Sequence, residues 1–475
     1  SVRQASQTWM QAGSLVDASS TGNGAGGTVV IWSDLNNFDG GTVVEGSLLA
    51  RGGPLGGDGG RIETSGPYLM AMPQLLDVSS VEGKLGDWLL DPFNLTILPD
   101  SYTPTGTNFS NSGNNSLFTS IADNAGVRVG DLRSQLTNGA NVRLLTGQGS
   151  TTEGGNIIWQ QGADLDYSGT TTNLTLDASG YITLNSDITT GTGGLTLNAG
   201  AGYVEGSELI TLSLSGPLQI STGDNTIGTT GFASPVLAST LTGTGSLLKS
   251  GVGRLILSGN NSSWTGTNVV QAGSLRVVGA NALGSASAGT EVQSSGTLEI
   301  SGSQTISEPI ALAGGKLMSL SGQNILTNKV LLNGSSTIEL LQGTSLELNP
   351  LSGDALAVDS SSTAFNSNLT VSGDGDLVVQ APLTLKDGQS VATYGDFVQT
   401  GGGVVRFLDT IYAEELASTG GGTLWLDQAV GADNFEGSDN SSIFLDNGSL
   451  LRRDVSETVI NATLNLGSGG GGISV

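Results

Sequence analysis

The side chains of this chain that could do acid–base chemistry are carboxylates, because its 475 residues include neither His nor Cys. The usual proton-transfer group near neutral pH and the usual thiol nucleophile are therefore missing. Asp164 with Asp166, and Asp374 with Asp376, are spaced so that both carboxylates lie on one face of a strand. Glycosidases use such pairs, but among 42 Asp and Glu residues they also arise by composition. We predict no catalytic residue and no enzyme.

The turn Gly373–Asp376 is the best candidate for a divalent-cation site, because two carboxylates lie close together in a glycine-rich loop. Calcium takes about six to eight oxygen ligands. The repeated Gly-Gly-x-Gly-x-Asp spacing of calcium-binding β-rolls is missing from the sequence. We therefore expect no metal and no cofactor, and we attribute the acidity mainly to solubility.

Several tryptophans are candidates for platforms on which a sugar ring stacks: Trp32, Trp88, Trp159, Trp264 and Trp425. Trp32 and Trp159 each end an alternating apolar run, and a Trp in that position is typical of a core or a coil corner. We predict that these two are structural, and we assign no binding residue.

The net charge of −26 comes from 42 acidic and 16 basic residues. Nucleic acids and anionic membrane surfaces require basic patches, so we exclude both as partners. The chain has no window of about 18 apolar residues, so we predict no transmembrane helix. Ser1–Ala5 lacks the charged-then-apolar start of a signal peptide, which fits a mature chain or an excerpt of a longer one.

Very short strands must position these side chains, because one short sequence repeat, bounded by glycines, recurs along the chain. Gly273–Gly279, Gly296–Gly302 and Gly314–Gly322 each contain a glycine, a small or polar residue, an alternating apolar run and a second glycine. Looser copies begin at Gly334, Gly353 and Gly373. Their spacing is close to that of solenoid repeats, about 20 to 29 residues. A single unit cannot bury its apolar face, so we expect the units to stack.

A parallel β-helix fits this pattern better than a sandwich or a propeller. The 75 glycines have no Gly-X-Y period, which excludes collagen, and aromatic residues make up only 5% of the chain. Propeller blades usually carry periodic aromatic signatures. Gly or Asn follows nearly every short strand, and Thr, Ser and Asn suit outward faces and corners. We therefore predict an all-β solenoid.

The spacing of short strands and glycine-rich turns divides the sequence into four parts. Residues 1–98 and 156–466 are predicted as β-helix, and 467–475 as a Gly-rich tail. Residues 99–155 are predicted as a projecting loop with a short helix from Val129 to Leu136. That helix would bury Val129, Leu132 and Leu136 and point Arg133 toward solvent, and the run Thr105–Ser116 reads as loop.

Asp or Asn directly follows three apolar-Thr-apolar strands, at Asp177, Asn185 and Asn198. If these residues align in successive coils, their side chains would stack as a ladder. Asn and Asp are also simply good turn formers, and that alternative stays open.

Several motifs resemble known exported proteins. Gly26–Asp34, Ala50–Gly53, Gly59–Gly66 and Trp88–Ile97, in this order, resemble two-partner-secretion exoproteins of the filamentous-haemagglutinin-like adhesin family. Separately, Gly253–Gly284 resembles the passenger-associated β-strand repeat of autotransporters.

The resemblance implies a right-handed parallel β-helix at or beyond the outer surface of a Gram-negative-type cell, exported with an outer-membrane translocation partner. It implies a secreted or surface structural adhesin that binds surface glycans or receptors on host or neighbouring cells. Open coil ends further suggest end-to-end stacking of copies into an extracellular filament. The alternative is a polysaccharide-degrading enzyme on the same scaffold.

Overall fold

The structure is a computed structural model that describes residues 5–34, 40–102, 125–147, 154–200, 202–205, 210–222, 236–358, 367–385, 395–427, 435–436, 442–453 and 463–474. The chain divides into two compact units, Ser1–Leu247 and Leu248–Val475. The predicted loop Thr105–Ser116 lies outside the described residues.

The first unit contains short strands and one helix. In chain order they are β1 (Gln7–Met10), β2 (Leu15–Asp17), β3 (Thr28–Trp32), β4 (Gly41–Val44), β5 (Ser47–Leu49), β6 (Arg61–Ser65), β7 (Tyr68–Ala71), β8 (Leu75–Asp77), β9 (Gly86–Asp91), β10 (Leu95–Leu98), β11 (Ala125–Arg128), α1 (Val129–Thr137), β12 (Ala140–Thr146), β13 (Ile157–Trp159), β14 (Leu165–Asp166), β15 (Asn173–Ala178), β16 (Tyr181–Leu184), β17 (Ile188–Thr189), β18 (Gly194–Ala199), β19 (Gly202–Glu205), β20 (Thr211–Leu214), β21 (Leu218–Thr222), β22 (Val236–Leu237) and β23 (Thr240–Gly243).

The strands of this unit pair in parallel with strands of the next coil. One sheet has the order β1-β4-β7-β11-β10-β13-β16-β19, and two smaller sheets are β2-β5-β8 and β14-β17-β20-β23. A further sheet runs β3-β6-β9-β12-β15-β18-β21. The chain thus visits each sheet once per coil, and the predicted parallel β-helix is confirmed.

Period-2 patterning explains why the coils stack. In β15 the residues Leu174 and Leu176 are fully buried while Thr175 faces outward, and β18 repeats the pattern. The register places Leu174 beside Leu195 and Leu176 beside Leu197. Each buried leucine contributes roughly 1.5–3 kcal/mol, so apolar columns along the inside stabilise a chain that has no disulfide.

The predicted helix is confirmed as α1, which buries Val129, Leu132 and Leu136. Arg133 is on its outer side, where its guanidinium lies 3.0 Å from the Asp100 carboxylate. The strands on either side of α1 belong to the sheets and do not project as a loop: β11 pairs with β10, and β12 lies between β9 and β15. Residues 125–146 are therefore part of the coil.

The second unit contains strands only. They are β24 (Leu247–Ser250), which begins at the last residue of the first unit, β25 (Arg254–Leu257), β26 (Asn268–Val277), β27 (Thr290–Ser301), β28 (Thr305–Ile306), β29 (Ile310–Ala313), β30 (Lys316–Ser321), β31 (Gln323–Leu326), β32 (Val330–Leu332), β33 (Ser336–Leu340), β34 (Ser345–Leu348), β35 (Leu356–Val358), β36 (Leu369–Ser372), β37 (Asp376–Val379), β38 (Leu383–Thr384), β39 (Phe397–Gln399), β40 (Val404–Phe407), β41 (Ile411–Tyr412), β42 (Glu415–Ser418), β43 (Thr423–Leu426), β44 (Phe435–Glu436), β45 (Ser442–Leu445), β46 (Ser449–Arg453), β47 (Thr463–Leu466) and β48 (Gly471–Ser474).

These strands again form parallel sheets. One has the order β28-β31-β34-β37-β40-β43-β46-β48. A second runs β25-β26-β27-β30-β33-β36-β39-β42-β45-β47, and a third runs β27-β29-β32-β35-β38-β41-β44. The coil length varies, because Leu298 pairs with Leu317 but Leu346 pairs with Leu377. Part of the Gly-rich tail, β48, pairs with β46.

Side-chain ladders join successive coils, and the predicted one forms only in part. Asp177 and Asn198 are in register, whereas Asn185 lies on another part of the coil and donates to the Trp159 carbonyl at 2.9 Å. The Asn94 side-chain oxygen accepts from the Asn156 backbone N–H at 2.7 Å, and the Asn156 side-chain oxygen accepts from the next coil. Within the described ranges, no helix has the length and apolarity of a membrane span.

Candidate functional site

The first unit has a groove on the outward face of β6, β9, β12 and β15. Its volume is about 300 Å³, at the small end of the range for ligand pockets. It is lined by Arg61, Asp87, Trp88, Leu89, Asn141, Val142, Arg143, Asn173 and Thr175. We call it the polar groove.

Strand register lines up the walls of the polar groove in columns. Arg61 lies beside Asp87, and Asp87 lies beside Asn141. In the adjacent column Leu89 lies beside Arg143, and Arg143 beside Thr175. Alternate residues of each strand point outward, so every coil adds one outward side chain per column at about 4.8 Å spacing, and most of these side chains are polar. The result is a row of donors and acceptors that crosses several strands.

Both arginines of the groove are held by carboxylates. A terminal nitrogen of Arg61 lies 3.0 Å from Glu63 Oε2, and Arg143 forms an ion pair with Asp177. The two arginine side chains keep about half of their surface exposed, so these pairs contribute less than about 1 kcal/mol each. Their main effect is to orient planar guanidinium groups that still present N–H donors to the groove.

Asp91 ends β9 on the same face, in register with Ser65. Burial raises the pKa of its carboxyl to about 6, and the nearby negative charge of Glu63 adds to this while Arg143 opposes it. A carboxyl group with this pKa is partly protonated near neutral pH, so it both donates and accepts hydrogen bonds.

Amide groups complete one wall. The Asn173 backbone N–H donates to Asn141 Oδ1 at 3.0 Å, which joins the two coils. Asn173 Oδ1 is buried and has no hydrogen-bond partner among the described residues. The Asn173 side chain as a whole is half-buried and lines the groove, so its amide group is placed beside a bound hydroxyl or amide group.

A tightly packed core supports the groove from behind. The Trp88 side chain is fully buried and lies between Ile62 and Val142 in register. Its indole N–H donates to Thr64 Oγ1 at 3.2 Å. The outward side chains are therefore anchored on strands whose inward neighbours are immobilised by packing.

The carboxylate pairs singled out from the sequence are used in the turns of the coil. Asp164 Oδ1 accepts from the Asp187 N–H at 3.2 Å, and Asp166 Oδ1 accepts from the Ser168 N–H at 2.9 Å. This hydrogen bond from Ser168 lowers the pKa of the Asp166 carboxyl. The second pair, Asp374 and Asp376, accepts at 2.9 Å from the backbone N–H groups of Gly402 and Val404.

Three of the five candidate tryptophans, Trp88, Trp159 and Trp264, are fully buried. The prediction that Trp159 is structural is confirmed, since its indole N–H donates to the Ala163 carbonyl at 2.6 Å. Trp32 is 41% exposed, so of its two alternatives, the core or a coil corner, the core is wrong; it ends β3, in register with Ser65.

Trp425 is also unsuited to sugar stacking. The guanidinium carbons of Arg406 and Arg452 lie 4.2 and 3.9 Å from its ring centroid. The register Arg406–Trp425–Arg452 places one arginine on each neighbouring coil, so both contact the indole.

Among the described residues, no group of three or more Asp or Glu side chains is arranged to hold a metal ion. Sequence reasoning missed the polar groove because its residues come from different coils. The alternating run Arg61–Ser65 showed that Arg61 and Glu63 face outward, but Arg143 reaches the same face only after a long intervening segment.

The second unit concentrates buried charge in β24 to β27. Lys249 is fully buried, and its ammonium donates to the carbonyl oxygens of Ser250, Gly251 and Ala272 at 2.6, 3.0 and 3.1 Å. Burial lowers the pKa of Lys249 to about 8. Nearby, the carboxylate of Glu299 accepts from Arg254 at 3.0 and 3.1 Å and from Arg276 at 2.7 Å.

This stretch is also where the chain is similar to known proteins. Residues 247–277 match the family model described as Passenger-associated-transport-repeat. No curated protein matches the chain. The match supports the sequence-based resemblance to an autotransporter passenger repeat, a repeat of secreted or surface-exposed β-helical passengers of Gram-negative bacteria.

Proposed function

We propose that this protein is a secreted or surface-held adhesin that binds surface glycans through the polar groove. The passenger-repeat match supports the location. The observation that carries the binding role is the groove itself, with two guanidinium groups, carboxylates and amides in register on one outward face. Saccharides offer many hydroxyl groups, and planar polar side chains recognise them by paired hydrogen bonds.

The chemistry around the groove favours a glycan over an apolar ligand. Leu89 and the edge of the buried core supply apolar surface, and Arg61, Asn141 and Arg143 add donors, a mixture that matches the C–H faces and hydroxyl groups of a sugar ring. Trp32 is exposed on the same sheet and offers a ring face near the groove column that contains Ser65 and Asp91. Weak binding at one groove would gain strength from many copies on a cell surface.

A glycan array followed by titration of the best ligand tests the proposal. We expect Arg143→Gln and Asn173→Ala each to weaken binding about tenfold, because each removes a hydrogen bond worth roughly 1–1.5 kcal/mol. Thr183→Ala is the matched control, since Thr183 faces outward from β16 on a different sheet. Equal affinity of the groove variants and the control would overturn the role of the groove.

For export, we propose the route of two-partner-secretion exoproteins, with an outer-membrane translocation partner. Gly26–Asp34, Gly59–Gly66 and Trp88–Ile97 supply β3, β6 and β9, which lie side by side in register. Co-expression with and without a transporter of that class, with the protein assayed outside the cell, tests this. Equal export in both strains would contradict it.

Copies of the chain are proposed to stack end to end. Among the described strands, β1, β2 and β3 pair on one side only, which leaves backbone groups open to strand addition. Apolar side chains are exposed there (Trp9, Leu15, Val16, Val30 and Trp32), and Leu464, Leu466 and Ile473 are exposed near β47 and β48. Imaging of concentrated protein should show filaments, and Val30→Lys should shorten them; monodisperse particles of the unmodified chain would count against stacking.

An enzyme that degrades polysaccharide is the second candidate, and Asp91 favours it. A carboxyl group with a pKa near 6, near Glu63 on the outward face that carries the groove, has the property of a general acid. A screen against polysaccharides with wild type and Asp91→Asn separates the two functions. Turnover that is lost in Asp91→Asn would replace the adhesin proposal, and binding without turnover would support it.

A further inference from the structure

The second unit contains a buried carboxyl group that nothing described so far uses. Glu308 lies between β28 and β29 and is 2% exposed. Neither Oε1 nor Oε2 has a hydrogen-bond partner among the described residues. An ionised carboxylate in this position would be unstable, because burial of an unpaired charge is among the most costly features in a protein.

Glu308 is directed at the turn 279–289, whose backbone closes on itself and on the preceding coil. A Cβ built on Gly284 would lie 3.2 Å from Glu308 Oε1 and 2.9 Å from the Trp264 carbonyl oxygen. The Ser285 N–H donates to that same carbonyl at 2.8 Å. Gly284 therefore lies close to both the Glu308 carboxyl group and the Trp264 carbonyl.

A second buried oxygen without a hydrogen-bond partner among the described residues belongs to Asn268, at the start of β26, which contacts the same turn. Asn268 donates through Nδ2 to the Leu283 carbonyl at 2.9 Å and to Thr290 Oγ1 at 3.0 Å. Its Oδ1 is buried and has no partner among the described residues. The turn thus lies against two buried side chains, Glu308 and Asn268, whose acceptor oxygens receive no hydrogen bond among the described residues. A proton on Glu308 would supply one donor to these acceptors.

The elements around Glu308 carry almost no other titratable group. The turn 279–289, the segment 260–266 and the strands β28 and β29 contain no Asp, Glu, Lys, Arg or Tyr. On the next coil Lys329 is exposed, and Ile310 pairs with Val330, which aligns Lys329 with Pro309. Glu291 in β27 faces outward and bonds to Gln293. No cation is therefore in place to neutralise Glu308, and no three-carboxylate cluster among the described residues offers a metal site.

We propose that Glu308 is a proton-binding site that latches the turn 279–289 onto the coil: neutral Glu308 stays buried against Gly284 and Trp264, and its ionisation releases the turn. Burial raises the pKa of Glu308 to about 8, which agrees with this. The folded pKa lies above the unfolded value near 4.5. The stabilising effect is therefore complete below about pH 4.5 and is lost as pH rises through about 8.

Hydrogen exchange measured residue by residue on the full chain tests the latch. The reporters are the amides of Ala282, Gly284, Ser285 and Ala288, all hydrogen-bonded within the turn or to Trp264. After correction for intrinsic rates, we expect their opening equilibrium to rise on the order of a thousandfold between pH 5 and 9. The amides of β33 report any general loss of structure.

Glu308→Gln keeps the size of the side chain and cannot ionise, so its turn should show no such pH dependence. Glu291→Gln, which removes an outward carboxylate one coil earlier, should behave as wild type. The same pH profile in wild type and Glu308→Gln would overturn the proposal. So would a wild-type turn whose exchange at pH 8 changes with added Ca²⁺ or EDTA, because a cation would then hold the site. If Glu308→Gln is unstable, Glu308→Met supplies the second check: it removes the ionisable group and keeps an unbranched side chain of similar length, so its turn should also show no pH dependence between pH 5 and 9.

Discussion

Removal of the Glu299 carboxylate should destabilise the second unit more than any other single loss of an ion pair described here. Glu299 has 5% of its side chain exposed, and Arg254 and Arg276 have 18% and 22%. Glu299→Ala removes the carboxylate that accepts hydrogen bonds from both guanidinium groups. Breaking a buried pair in this way costs about 3–5 kcal/mol, and we expect about 3 kcal/mol because both arginines retain some water contact.

Urea unfolding of the wild type and variants measures this loss, and Glu339→Ala is the matched control. Glu339 lies in the same outward column, because Glu299 pairs with Met318 and Met318 with Glu339. Its partner Lys316, at 2.6 Å, is 40% exposed, so the control should lose less than about 1 kcal/mol.

The pH dependence gives an independent check on Glu299. Burial alone would raise the pKa of its carboxyl, but the hydrogen bonds from Arg276 and Arg254 outweigh burial and hold it below the usual 4.5. The stabilisation is therefore present above about pH 4.5 and is lost as pH falls through the folded pKa. Equal losses in Glu299→Ala and in the triple variant Arg254→Met, Glu299→Leu, Arg276→Met would refute the reasoning, since the triple variant leaves no buried charge unpaired.

Three further predictions use other contacts. The wild type should gain stability between about pH 8 and 10.5, because burial lowers the pKa of Lys249 and the folded protein releases that proton more readily than the unfolded chain. Lys249→Met should show no such gain, and urea midpoints across that pH range measure it. Gly273→Ala should cost several times more than Gly343→Ala in thermal melts, since both have positive φ but only the Gly273 Cβ would clash, 2.3 Å from the Gly253 carbonyl oxygen. Asp374→Ala should cost about 1 kcal/mol with or without calcium, through loss of its bond to the Gly402 N–H.

The sequence predicted the fold because the fold depends on local pattern. Leu174-Thr-Leu176 and Leu195-Thr-Leu197 show their inward and outward positions at once, and only stacking can bury so short a strand. The helix was predictable for the same reason, since Val129, Leu132 and Leu136 share one face. What the pattern does not contain is which outward residues meet, because register across coils depends on the length of every intervening turn.

The polar groove shows this limit most clearly. Leu89 and Arg143 are neighbours only because β10, β11 and α1 are accommodated between β9 and β12 without loss of register. The sequence instead drew attention to Asp374 and Asp376, which are close in the chain but each bonded to a backbone N–H of the following coil. In this fold, polar residues that are close in the sequence lie at turns, whereas a surface such as the polar groove is formed by residues from successive coils.

The distribution of half-buried and buried ionisable groups bears on how this part of the chain folds. Lys249, Arg254, Arg276, Glu299 and Glu308 lie within a short stretch of the second unit that includes the passenger-type repeat. The Ala272 carbonyl that accepts from Lys249 belongs to a later coil, and so does the Glu299 carboxylate that pairs with both arginines. A chain in which only part of this stretch has folded lacks these partners, and burial of its charged groups is then opposed. We therefore expect folding of this stretch to require several coils together and to be cooperative: urea unfolding followed at β24 and at β27 should give one midpoint, and separate midpoints would contradict this.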